Sequence, residues 1–448
     1  MHGVELLARH AGELRRQSLS PEVLHHAKRA VIDWHAALLA GLGTPAVQVL
    51  EVALAQDIGR GGARLARGRS APARAAALVN GTAAHAVEAD HSFRDAMFHP
   101  GAAVAAALAV AQETGAAGEE FLRAVVCGYE LSSRIALVLG RAHSTFWHAT
   151  GTVGTFGAAA ASSHLLGLDE ERFAHALATA ATFAAGLQQA FHLDSMSKPL
   201  HAGRAAEAGL LAAQLARSGV TGSLDVLDGK VGLGRAMGDG PDWSQAARMP
   251  SQDFHITRLS FKTHIGCGHA FAAIDGALEL QRRFHIAPDD IAAVHVSTYR
   301  AALEVAHHQQ PTTAHEARFS MAYLVAAALT RGPVRLRAYA PDQWSAADTR
   351  ALMARIHLRV DPELEAAFPG KREARVEIVT RGARRYTHLQ AHRKGDPELP
   401  LTDGELESKF LELASPAIGG KDADRLLSRL WRLDASDAPD LAQLPGGR

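Results

Sequence analysis

Lys198, His201 and Arg204 fall within seven residues of one another in "SMSKPLHAGRAAEAG", Ser195 to Gly209, a stretch that reads as the start of a helix. A lysine there faces the positive end of the helix dipole, an unfavourable place unless an anion lies close by. Two readings account for it. The side chain snorkels out to water, or the junction binds an anion and a substrate carboxylate offsets the penalty. Pro199, directly after the lysine, suits the first position of a helix.

A second polar cluster, "EADHSFRDAMFHPGAAV" from Glu88 to Val104, gathers Glu88, Asp90, His91, Ser92, Arg94, Asp95 and His99 between two helical patterns. Pro100 is expected in the first turn of the following helix, which sets His99 beside another positive helix end suited to a carboxylate. Helix capping by Asp and His is the plain alternative. No ligand spacing there is tight enough to indicate a metal. His148 precedes Gly151, Gly154 and Gly157 in "HATGTVGTFGAAAASSHLLGLD". These glycines match neither the P-loop nor the dinucleotide fingerprint and read as close-packing glycines. "FKTHIGCGHAFAAIDGAL" brings Lys262, His264, Cys267 and His269 to one turn. His-x-x-Cys-x-His offers metal ligands without the second pair a zinc site normally has. Cys267 offers a nucleophile without an assignable Asn or Asp partner. Tyr323, within "ARFSMAYLVAAAL", reads on its own as a core tyrosine with one hydroxyl partner.

The bulk properties narrow the classes. Lys plus Arg equals Asp plus Glu at 47 each, so the basic excess of a nucleic-acid binder is missing. Two cysteines are too few for an iron–sulfur cluster and fit a reducing, cytoplasmic setting. The longest apolar run, "GAAVAAALAVA", is shorter than a membrane span. The N-terminal "MHGVELLARHAGELRR" has the pattern of an amphipathic helix rather than a signal peptide.

These side chains must be held by elements, and the pattern is helical as far as about Ser260. "PEVLHHAKRAVIDWHAALLAGLG", "SAPARAAALVNGTAAHAVEA", "GAAVAAALAVAQETG", "GEEFLRAVVCGYELSSRIALVLG" and "ERFAHALATAATFAAG" all place apolar residues at helical spacing. After Gly266 come strand-like runs: "IAAVHVSTY", "IHLRVD" and a hairpin pattern around Arg381-Gly382. One helix, "EARFSMAYLVAAALTRG", is expected between the first two strands, and helices return after "GDPELPLT". The expected fold is mainly α: an all-helical domain over 1–265 and 399–448, and a smaller α+β domain over 266–398.

In order, "VNGTAAHAVEAD…HPGAAV", "HATGTVGTFGAAAASSHLLGL", "SKPLHAGRAAEAGLLAA", "LDGKVGLG", "FKTHIGCGHAFAAID", "FSMAYLVAAAL" and "PLTDGELESKF" resemble the MmgE/PrpD family, over essentially the whole chain. That family includes 2-methylcitrate dehydratases, cis-aconitate decarboxylases and iminodisuccinate epimerases. The resemblance implies a homodimer with a lid domain, an active site in the interdomain cleft, a small polycarboxylate substrate, and no metal or organic cofactor. Motif by motif it assigns catalytic roles to His99, His148, Lys198, His269 and Tyr323, with Asp90 and Ser92 binding substrate; Arg204 and Lys262 are expected to help Lys198 hold the substrate's negative charge. His99 and His148 would act as acid or base, with His269 and Tyr323 as the opposing donors. The implied reaction is a lyase step by proton transfer beside a carboxylate, with epimerisation and a non-catalytic helical dimer as alternatives. Two departures stand out: "EADHS" puts Glu88 and His91 where the family usually has aspartates, and Phe271 replaces a histidine, leaving His269 as the substitute.

Overall fold

The computed structural model describes residues 1–191, 195–248 and 253–436, with twenty α-helices among them. The chain divides into two compact units, Met1–Ser260 with Thr402–Arg448, and Phe261–Leu401. The first break falls before the expected residue 265 because the Phe261 amide already bonds to the Gly395 carbonyl at 2.8 Å. Residues 437–448 of the expected C-terminal return lie outside the described residues.

The first unit is built from α1 (Gly3–Arg16), α2 (Pro21–Gly41), α3 (Ala73–Ala86), α4 (Ala102–Thr114), α5 (Gly118–His143), α6 (Ala149–Leu165), α7 (Glu170–Phe183), α8 (Ser197–Arg217) and the returning α11 (Asp403–Ile418), with shorter helices between. It is not purely helical: β1 (Ala63–Arg64) and β2 (Ser70–Ala71) form a short antiparallel ladder. Side chains set the helix starts. Ser20 Oγ accepts from the Val23 amide ahead of Pro21, and Thr402 with Glu405 forms a reciprocal capping box at α11.

Helix α6 explains the glycine spacing. Residues 149–164 are all buried, and α6 packs against α4, α5, α7 and α8. Small residues let these helices approach closely. A Cβ on Gly209 would lie 2.3 Å from the Thr155 carbonyl oxygen, and one on Gly203 2.2 Å from that of Leu78. The tight fit fixes α8 against α6 and α3, and these three helices carry the candidate site.

Two expected helix starts shift. Helix α8 begins at Ser197, so Pro199 is its third residue, still within the first turn whose amides have no intrahelical acceptor. Pro100 precedes Gly101, the N-cap of α4, and so lies outside that helix.

The second unit holds a four-stranded sheet in the order β4-β3-β5-β6, from β3 (Ile291–Thr298), β4 (Ile356–Val360), β5 (Ala374–Thr380) and β6 (Arg385–Gln390). Strand β3 runs parallel to β4 and antiparallel to β5, and β5–β6 form the hairpin expected around Arg381-Gly382. Helix α9 (Phe271–Phe284) packs on β5 and β6. The single helix expected around Tyr323 is two, Ala314–Arg318 and α10 (Met321–Arg331). Ser320 caps the second by accepting from the Tyr323 amide at 3.2 Å. The protein is mainly α with a small α+β unit. Among the described residues no single helix is long and apolar enough to cross a membrane.

Candidate active site

In the first unit, the end of α3, the 88–99 loop, the start of α6 and the first turns of α8 bring one cluster together. Asp90 is its centre. Its Oδ2 lies 2.8 Å from His85 Nδ1 and 3.0 Å from His99 Nδ1, and it is 4% exposed. His99 Nδ1 also lies 2.9 Å from the His91 carbonyl oxygen, which can only accept. His99 therefore carries its proton on Nδ1 and presents Nε2 as a lone pair when neutral. Burial pushes the Asp90 carboxyl up, but His99 and His85 more than reverse this and hold it well below the usual carboxylate range. Burial is also the main cause that lowers His85 to about 4, against the pull of Asp90. The arrangement is an ionised aspartate holding two imidazoles. His85 Nε2 and Asp90 Oδ1 are both buried with no hydrogen-bond partner.

The rings continue as an arc. His85 and His99 centroids lie 4.9 Å apart, His85 stacks on His148 at 5.7 Å, and His148 meets His201 at 5.2 Å. His148, at the N-terminus of α6, donates its backbone N–H to the Gly186 carbonyl at 2.9 Å. Burial drives its basicity far down, with His85, His201 and His99 adding to the effect. Thr150 Oγ1 accepts from the His99 amide at 3.0 Å and ties the loop to α6.

Lys198, in the first turn of α8, forms an ion pair with Glu88. The lysine is thus offset at a helix start by a protein carboxylate already present, which corrects the expectation that substrate alone supplies the anion. Glu88 has φ 59°, a left-handed conformation that costs a non-glycine residue about 1–3 kcal/mol.

A buried network holds the loop from behind. Lys409 Nζ donates to Asp33 Oδ1 and to the Ala89 carbonyl, both at 2.6 Å. Asp33 Oδ2 accepts from the His91 amide at 2.8 Å and lies 2.9 Å from His91 Nδ1, while His91 Nε2 meets Tyr129 Oη at 2.7 Å. His91, a departure from the expected aspartate, is therefore a support of the loop.

Other expected residues stand apart from this cluster. Ser92 is bonded through its backbone to Ser260, at 2.9 and 2.8 Å. Arg204 is half exposed and pairs with Glu207 one turn on, at 2.6 Å, because its helical position points it to the outer face of α8.

The second unit has its own cluster. His269 Nδ1 lies 2.8 Å from Tyr299 Oη, and Tyr299 stacks on Phe368 at 4.3 Å. Burial, then Arg372 and Arg393, lowers His269 to about 4. Arg393 grips Asp396 through two 2.9 Å bonds. Lys262 is half-buried and close enough to oppose the effect of burial on Cys267, as Arg372 does; even so burial pushes the Cys267 thiol up to about 11. Such a thiol is protonated at neutral pH and unsuited to act as nucleophile. His264 is taken by Asp275 at 2.9 Å and the Val334 amide at 3.1 Å, leaving no His-Cys-His metal set. Tyr323 is fully buried and its hydroxyl donates to the Ala338 carbonyl, so the tyrosine paired with His269 is Tyr299.

His85, Asp90 and His99 put one ligand atom each within 4.8 Å of the others, the one such metal-compatible group among the described residues. Their distances are those of direct hydrogen bonds, with both Nδ1 protons directed at the Asp90 oxygen or the His91 carbonyl. The three side chains are thus joined to one another and to the His91 carbonyl by hydrogen bonds. His85, Tyr299 and Arg393 were not singled out in the sequence. His85 lies inside a regular helical pattern, and the others are 30 and 124 residues from His269. The usable signal was His85 five residues before Asp90, at the helix end.

The helical unit holds an aspartate-held histidine pair beside a lysine, the make-up of a candidate acid–base site, and the small α+β unit holds a histidine–tyrosine pair of its own. The sequence comparisons place the chain further. Residues 5–246 match the MmgE/PrpD N-terminal domain and residues 264–433 the MmgE/PrpD C-terminal domain, and the chain belongs to that family. It is 28% identical to a cis-aconitate decarboxylase-like protein of Aspergillus oryzae, over 97% of this chain and 95% of that protein. It is 26% identical to the mouse cis-aconitate decarboxylase (84% of this chain, 79% of the relative) and 28% identical to the human one (84% and 80%).

Proposed function

We propose that the protein is a lyase acting on a small di- or tricarboxylate by proton transfer at a carbon beside a carboxylate, with cis-aconitate the first substrate to test. The observation that carries this reading is the Asp90-held pair His85 and His99, next to His148 and Lys198. The names of the relatives support decarboxylation, and dehydration uses the same machinery.

Both reactions place carbanion character next to a carboxylate, and fixed cations and donors must stabilise it. In elimination a base takes the C–H proton, its electron pair forms the double bond, and hydroxide leaves with a proton from an acid. In decarboxylation the C–C pair stays on carbon as carbon dioxide leaves, and an acid delivers a proton to that carbon. A neutral His99, with Asp90 behind its Nδ1–H, is suited to the base role. His148 is suited to the same work from its own Nε2, as base or as carrier of the second proton, and Lys198 to face the developing charge. In the second unit, His269 with Tyr299 is proposed as a further donor pair. None of these roles calls for a cofactor, and a dimer of this chain belongs to the same reading.

A second reading, epimerisation, draws on His99 and His148 both neighbouring the His85 ring, at 4.9 and 5.7 Å between centroids, since inversion needs two proton carriers. The test is proton NMR of the protein with cis-aconitate, 2-methylcitrate, citrate and iminodisuccinate in deuterated buffer. Loss of a carboxyl group or formation of an alkene is the expected result, reduced about 100-fold or more in Lys198→Met and His99→Asn. Deuterium exchange without net loss selects the epimerase. No turnover and no exchange with any of the four would refute the enzymatic reading and leave a non-catalytic helical protein.

A further inference from the structure

His148 and His201 meet through like nitrogens: their Nδ1 atoms are 2.9 Å apart. Two lone pairs, or two N–H bonds, would repel at that distance, so one Nδ1 carries a proton and the other accepts it. The rings are tilted by 50°. Backbone shape makes the room. A Cβ on Gly186, which has φ 126°, would lie 3.2 Å from His201 Nδ1 and 3.4 Å from its Cγ. A Cβ on Gly151 would lie 3.3 Å from His201 Cβ and 2.4 Å from the Ala185 carbonyl oxygen. The carbonyl of Gly186 also anchors the His148 amide, so one glycine fixes the first ring and clears space for the second.

We propose that His201 is a positioning residue that acts through His148, taking up the His148 Nδ1 proton whenever His148 accepts one at Nε2, and returning it when His148 gives one up. The proposal rests on the acid–base reading of this site. Before the step, His148 is protonated on Nδ1 and His201 on Nε2, both rings neutral. His148 Nε2 takes the substrate proton and the C–H electron pair stays on the substrate. The Nδ1 proton crosses to His201 Nδ1. His148 is left neutral as its Nε2–H tautomer, and His201 holds the positive charge. In elimination the pair passes this proton on to the leaving hydroxide. In decarboxylation the shift runs the other way: the His148 Nε2 proton goes to the carbon that carbon dioxide leaves, the His201 Nδ1 proton crosses to His148 Nδ1, and the pair regains from solvent the one proton that the product keeps.

Burial sets the direction. His148 is buried among His85, His99 and Asp90, whereas His201 is half-buried, with His85 and Lys198 as its charged or chargeable neighbours. A cation is better hydrated on the more exposed ring. Burial lowers both histidines, but His148 much further.

Two measurements test this. The first is turnover of cis-aconitate by His201→Asn and His201→Phe. Asparagine can keep the hydrogen bond but cannot hold the extra proton, and phenylalanine keeps the ring volume alone. The expected result is a fall in kcat of about 100-fold in both, with KM changed less than about 3-fold. Asparagine activity within about 3-fold of the unsubstituted protein would overturn the relay, because a hydrogen bond would then suffice. Full turnover by His148→Ala would instead overturn the acid–base reading beneath it. The second needs no substrate: nitrogen-15 NMR of histidine-labelled protein, with His148→Asn and His201→Asn to assign signals. One shared Nδ1–H, and protonation of His201 before His148 on acidification, is expected. Two Nε2–H tautomers, or His148 protonating first, would overturn the proposal.

Discussion

Replacing Lys409 by methionine probes the support of the site more sharply than any substitution within it. The side chains of Lys409 and Asp33 are 1% and 0% exposed, and the ammonium bonds to the carboxylate and to the Ala89 carbonyl. Methionine keeps the stem's volume and removes the charge. Asp33 is then a buried carboxylate with only the His91 donors, and the Ala89 carbonyl loses the lysine as donor. Burial pushes the Asp33 carboxyl up, and Lys409 with the His91 hydrogen bonds outweighs it, leaving the group lowered and ionised. Removing one member of such a pair costs about 3–5 kcal/mol, while removing both charges is much milder. Urea unfolding followed by tryptophan fluorescence is well suited, because buried Trp34 is next to Asp33 on α2. The expected result is a loss of about 3–5 kcal/mol for Lys409→Met and recovery of at least about half in Asp33→Asn/Lys409→Met. A loss below about 1 kcal/mol, or a double variant no better than the single, would refute the account of the 88–99 loop as held by a buried charge pair.

Stability should fall on mild acidification. Burial is the leading cause that lowers His10, His35 and His85 to about 4, while an unfolded histidine titrates near 6.5, so between these values the unfolded chain binds protons the folded chain refuses. Their contribution is complete above about pH 6.5 and is lost towards pH 4, at roughly 1.4 kcal/mol per pH unit for each group; a urea midpoint equal or higher at pH 5.5 than at 7.5 would contradict this. Gly203→Ala puts a Cβ 2.2 Å from both the Leu78 carbonyl oxygen and Thr82 Oγ1, and should cost about 1–3 kcal/mol by thermal unfolding. Gly43→Ala, with nothing within 4 Å, should stay within about 0.5 kcal/mol, and equal shifts for the two would mean that α3–α8 contact is not as tight as described.

Helical spacing made most of the first unit legible, because long alanine-rich runs have one periodicity and clear stops. The β1–β2 ladder was invisible, since two-residue strands have no period to read. The break at Ser320 was hidden for a related reason: its hydroxyl caps α10 inside an otherwise unbroken apolar pattern. Within the site, Asp90, His99 and Lys198 were legible as unusual polar residues at a loop and a helix start, whereas His148 was marked only by the family resemblance. His85 and Tyr299 were not, because a histidine in mid-pattern and a tyrosine ending a strand look like ordinary packing until the fold sets partners against them. Tyr323 and Arg204 show the converse. Their positions beside suggestive motifs carried no information about direction, and the helix turned one into the core and the other to the surface.

The choice of histidines over further lysines follows from charge. Lys198 and Glu88 neutralise each other, His85 is held neutral by burial, and Asp90 remains ionised. A cluster built with several permanent cations would bind a polycarboxylate tightly from the start, but would stabilise substrate and transition state alike, which does not speed the chemical step. Imidazoles that are neutral at rest leave positive charge to be created only as the proton moves, when the carbanion forms. On the proposed reading, the electrostatic stabilisation is thereby concentrated in the transition state. The same logic explains why the arc ends at half-buried His201: charge made deep in the cluster needs an exit to a ring that water can reach.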